Sequence, residues 1–111
     1  MADEGAAGSD AANRRSGQRR RALKGGRIIY GNLSMSMDCT VRNLSPSGAR
    51  LEFEGGDAVP DEFYLFITGD HVIARVGVAW RRVAAVGVHF LEPLVHPKDH
   101  PDTRIGHLHL G

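Results

Sequence analysis

The chain has 111 residues, 41% of them hydrophobic and 24% charged, values that suit one compact domain and exclude wholesale disorder or a second domain. Its longest apolar stretches, such as Val76 to Trp80, are far too short to span a membrane. The acidic start MADEGAAGSDAAN lacks the basic region and apolar core of a secretory leader, so a cytoplasmic protein is expected. The net charge of +1 hides an asymmetry: residues 1–30 hold seven basic and three acidic side chains (+4), the remainder seven basic and ten acidic (−3). An anionic partner is expected at the basic end.

Residues 1–13 are small, polar and Gly/Ala-rich, and are expected to be disordered. An arginine-rich arm, NRRSGQRRR, follows over 14–24. From Arg27 the pattern is one of short strands separated by turn residues. GRIIYG is the first, closed by Gly31-Asn32. In MDCTVRN, Met37, Cys39 and Val41 alternate with polar residues, and in GARLEFE so do Ala49, Leu51 and Phe53. Gly55-Gly56-Asp57 breaks that run, EFYLFI forms a fourth strand after Pro60, and Gly69-Asp70 ends it. HVIARVGVAWRR is a long fifth strand whose period two places Val72, Ala74, Val76, Val78 and Trp80 on one face, predicting core packing for Trp80, with support of a binding site as the lesser option. VGVHF is the sixth; Val86, Val88 and Phe90 share one face, with His89 opposite. Cys39 reads as a small buried hydrophobe.

Six short strands with hairpin-length links predict an all-β fold, a six-stranded antiparallel β-barrel over 27–91, since closure removes the exposed edges of a flat sheet. Pro93, Pro97 and Pro101 forbid a long helix after Leu91, and 92–111 is expected to be an irregular, mobile tail.

Two constellations carry chemistry. In Arg15-Ser-Gly-Gln-Arg19, followed by Arg20 and Arg21, the guanidinium groups stay charged, fork onto phosphate oxygens and stack on purine rings. They also match the two acceptors on the O6/N7 edge of guanine. By itself the arm reads first as a solvated tail that binds polyanions without selectivity. Asn43-Leu-Ser45-Pro-Ser-Gly48 lies between two alternating strands, and by itself is a hairpin turn with a stiffening proline and a permissive glycine.

Together, Arg-x-x-x-Arg and Asn-x-Ser-x-x-Gly, 23 residues apart, resemble the two-part signature of PilZ domains. VRNLSPSGARLEF resembles that family's second and third strands with their turn, and VAWRR with VGVHF its fifth and sixth. The resemblance covers Arg14 to Leu91. It implies a six-stranded barrel that binds cyclic di-GMP on its outer surface. Arg15 and Arg19, with Arg20 alongside, match the family's arginine pair; Asn43, Ser45 and Gly48 match the motif lining the other side. Asn43 stands where Asp is commoner; a neutral amide accepts through one oxygen only, so weaker binding is expected. Val83-Ala84-Ala85 replaces the usual turn formers between the last two strands.

The resemblance implies a receptor that acts through a downstream partner protein, with cyclic di-GMP as ligand and no cofactor. One alternative is a PilZ-like adaptor that does not bind the nucleotide. Another is a nucleic-acid-binding barrel, for which Tyr30, Tyr64 and Phe66 are the stacking candidates. The histidines of the tail, His96, His100, His107 and His109, lack the framework of a metal site. An enzyme is not expected: Asp57, Asp61 and Glu62 have no paired base, and Ser34, Ser36, Ser45 and Ser47 no activating histidine.

Overall fold

The computed structural model describes residues 23–56 and 58–110. Its strands are β1 Leu23–Tyr30, β2 Met35–Arg42, β3 Gly48–Glu52, β4 Glu62–Ile67, β5 Val72–Arg82 and β6 Ala85–Phe90. Neighbours pair antiparallel in the order β1-β2-β3-β6-β5-β4, and β4 closes the ring by pairing with β1. The expected barrel is the observed fold. β1 begins at Leu23, paired with Arg42, so Leu23 and Lys24 belong to the barrel and not to the arm.

Alternation decides what lies inside. Ile28, Val41, Leu51, Leu65, Val76 and Val86 are fully buried in the interior, with Cys39 and Phe63 beside them. Each such side chain contributes about 1.5–3 kcal/mol through burial. Phe53 and Phe90 pack partly buried on this core. Burial, and secondarily the neighbouring Asp38 carboxylate, push the Cys39 thiol up to about 12, as befits a structural cysteine.

The segment after Leu91, expected to be an irregular, mobile tail, lies against the barrel. After Phe90 the chain keeps alongside β5: Leu91 N donates to Arg75 O, and Val95 exchanges two backbone bonds with Ile73 at 2.8 and 3.0 Å. Short 3₁₀ turns at Pro97–Asp99 and Ile105–His107 follow. They seat Ile105 and Leu110 on Ile29, Phe66 and Ile73, forming a second apolar cluster outside the barrel. The prolines excluded a long helix without excluding docking. The signal lay in β1 and β4, where Ile28-Ile29 and Leu65-Phe66 are apolar on both faces. The segment is also tied to the β1–β2 turn, where Arg104 Nη1 donates to Asn32 Oδ1 at 3.0 Å.

The hairpin between β5 and β6 closes despite lacking turn formers. Arg82 pairs with Ala85, and neither Val83 nor Ala84 has a positive φ, so no glycine is required. The segment after β3 holds the tip: Phe53 N donates to Ala84 O, and Gly55 N and Gly56 N to Val83 O.

Candidate functional site

β2 ends at Arg42, and the next residue, Asn43, has φ +51°, a left-handed conformation that asparagine tolerates better than most residues. Its side chain is exposed. The Ser45 hydroxyl accepts from Ser47 N and Gly48 N at 3.3 Å and donates to Gly48 O at 3.2 Å, while Ser45 N donates to the same carbonyl at 2.9 Å. Side chain and backbone thus close one turn, as serine commonly does. At Gly48 a Cβ would collide with the Val88 carbonyl oxygen, so only glycine lets β3 start so close to β6. Asn43, Ser45 and Gly48 therefore form one turn on the outer rim, and each helps to build it as well as to display it.

Leu23, the first described residue, pairs with Arg42, so the start of β1 lies beside Asn43. Arg15, Arg19 and Arg20 lie outside the described residues.

Beside the turn the outer face carries the side chains of Arg42, Arg50 and Glu52. Glu52 on β3 ties two arginines together: its Oε1 accepts from Arg42 Nη1 at 3.1 Å, and its Oε2 lies 3.3 Å from Arg50 Nε. That Nε is shielded from solvent and, among the described residues, donates no hydrogen bond. The ion pair is close enough but poorly angled. Such covered, unspent donors cost about 1–3 kcal/mol.

Trp80 lies on this face and not in the core. The β5–β6 register shifts between Val78, which faces Val88, and Trp80, which faces Gly87. The extra residue resets the alternation and turns Trp80 outward. There it is 38% exposed, with the guanidinium carbons of Arg82 and Arg50 at 5.0 and 5.7 Å from its ring centroid. A strict period of two carries Trp80 inside, which made core packing the leading expectation and support of the ligand site the lesser one; Arg50 and Arg82 carried no signal of their own in the sequence.

The stacking candidates for nucleic acid are spent elsewhere. Phe66 is 1% exposed under the C-terminal segment, Tyr30 packs on the core, and Tyr64 stands edge-on to His100 at 5.6 Å. His100 is itself buried: Nδ1 accepts from Asp102 N at 3.0 Å, and Nε2 lies 2.6 Å from Glu92 Oε2. Among the described residues no group of three His, Cys, Asp or Glu is placed to hold a metal ion, and no helix is long and apolar enough to cross a membrane.

The sequence matches the PilZ domain model over residues 13–102, which is 90 of 111 residues. The chain belongs to the PilZ domain family. No curated protein matches it. The PilZ match includes the arginine arm at one end and, at the other, runs past Leu91 into the docked segment that carries Glu92 and His100.

Proposed function

We propose that this PilZ domain is a receptor for cyclic di-GMP, held between the arginine arm and the Asn43–Gly48 turn. The observation that carries the reading is the pairing of Leu23 with Arg42, which puts the start of β1, the point from which the arm is tethered, beside the turn. An extended chain spans about 3.3–3.6 Å per residue. Chain length alone thus tethers Arg20 and Arg19 within about 10 and 14 Å of Leu23, and Arg15 within about 28 Å. Arg15 and Arg19 take the phosphates and guanine faces, with Arg20 beside them. Asn43 and Ser45 offer polar groups from the barrel side, and Gly48 keeps the floor low.

Ligand phosphates neutralise the arm's guanidiniums and draw them onto the barrel. Ordering a segment in this way consumes about 2–5 kcal/mol of the gross binding energy. The output is a changed surface, which a partner protein reads. No step of this mechanism is catalytic.

Isothermal titration calorimetry with cyclic di-GMP, using GTP as control, tests the proposal. Selective, saturable heat that Arg15→Ala and Arg19→Ala each reduce supports it. No heat from a folded sample refutes it and favours the adaptor that works through protein contacts alone.

A further inference from the structure

Two arginines meet across the hairpin that carries the turn. Arg42 and Arg50 are direct cross-strand partners. Their neighbours Val41 and Leu51 are fully buried, so both arginines project to the outer face. Like charges placed directly opposite on a sheet repel. Barrel building does not call for this arrangement: Arg27, Arg75 and Arg81 each have a carboxylate of their own, from Asp38, Glu62 and Asp61. Among the described residues Arg42 and Arg50 share a single one, that of Glu52.

The sharing is unequal. Glu52 Oε1 accepts a formed hydrogen bond from Arg42 Nη1 at 3.1 Å. Its Oε2 stands 3.3 Å from Arg50 Nε, which is shielded from solvent and makes no hydrogen bond among the described residues. One carboxylate in this pose does not satisfy both guanidinium groups. Were Arg42 held by another anion, Glu52 could turn fully to Arg50 and complete the missing bond.

The place of Arg42 indicates which anion. It directly precedes Asn43 and lies opposite Leu23, between the turn and the point from which the arm is tethered. Asn43, Ser45 and Gly48 carry no charge. Lys24, the nearby cation on β1, is spent on Asp70 at 3.0 Å. Arg42, its side chain 38% exposed, is the guanidinium that the barrel itself brings to this junction, and a guanidinium forks onto phosphate oxygens.

We infer that Arg42 is a phosphate-binding residue on the barrel side of the nucleotide site, held in the free protein by Glu52 and released by exchange; this rests on the receptor reading above. The ligand phosphate takes the Arg42 guanidinium, and Glu52 turns to Arg50. Arg50 is a positioning residue that acts through Glu52.

Calorimetric titration of the full chain with cyclic di-GMP tests the exchange. Arg42→Ala should weaken binding on the order of 10-fold, the low end for a hydrogen bond to a charged group. Arg42→Lys should recover only part of this, since an ammonium cannot fork. Arg50→Ala leaves Glu52 wholly to Arg42 and should weaken binding by up to about fivefold. Adding Glu52→Gln to Arg50→Ala should bring binding to the level of Glu52→Gln alone, a non-additivity that a merely structural role for Arg50 would not produce. Arg75→Ala, the same charge change away from the turn, should stay within about twofold. If Arg42→Ala does not fold, Arg42→Lys and the Arg50–Glu52 cycle decide the matter. Arg42 variants within twofold of the wild type, a loss no greater than that of Arg75→Ala, or additive Arg50 and Glu52 effects would overturn the exchange and leave the receptor standing. No heat from the wild type overturns both.

Discussion

Replacing Ile105 by alanine tests whether the C-terminal segment is part of the folded unit. Ile105 is 0% exposed and sits on Ile29, Phe66 and Ile73 outside the barrel. Truncating a buried isoleucine costs about 2–5 kcal/mol, the lower values arising where the site relaxes. This cluster has five buried members and one side of it is a short loop, so about 2–3 kcal/mol is expected. For a domain of this size each kcal/mol lowers Tm by about 4–8 °C, giving a drop of roughly 8–24 °C. Thermal unfolding by circular dichroism measures it, with Val83→Ala as control. Val83 is 81% exposed at the hairpin tip, so its loss should change stability by no more than about 0.5 kcal/mol. Hydrogen exchange gives a second readout, because the Ile73 and Val95 amides donate to each other's carbonyls. A Tm shift no larger than the control's, with those amides unprotected in the wild type, would refute the docked segment.

Gly87→Ala should lift the indole off the sheet, red-shifting the Trp80 emission and costing about 1–2 kcal/mol, the area term for exposing part of the ring; an unchanged spectrum would contradict the stacked geometry. Glu52→Gln removes the carboxylate that holds Arg42 and Arg50. Cyclic di-GMP should then bind about two- to fivefold more tightly at low salt, as expected for an exposed ion pair of up to about 1 kcal/mol, and the gain should shrink as salt screens it; weaker binding would show that Glu52 serves the ligand. The raised Cys39 pKa sets an alkaline limit. The folded value of about 12 lies above the ordinary 9.0, so this contribution to stability is complete below pH 9 and is lost as pH climbs toward 12. Urea midpoints measured across that range should fall less steeply in Cys39→Ala than in the wild type, and parallel curves would count against the assignment.

Much of the barrel was readable because its signals are local. Met37, Cys39 and Val41 face inward because successive strand residues point to opposite sides, whatever the partner strand. Asn43, Ser45 and Gly48 announced their turn because asparagine tolerates a left-handed φ, serine bonds to neighbouring amides, and glycine admits a close strand. The arginine arm was equally visible as charge without hydrophobic partners.

Other features depend on residues far apart in the chain. Whether Trp80 points inward is decided by where β5 slips against β6, and Gly87, seven residues later, supplies the bare backbone on which the ring rests. Ile29, Phe66 and Ile73 break strict alternation, yet only the docking of Ile105 and Leu110 reveals the reason. The sequence by itself determined the strands, the barrel and the turn motif, since each follows from bonding and sterics within a few residues. The outward tryptophan, the paired arginines and the covered outer face came from tertiary structure alone, because register and burial are relations between distant segments.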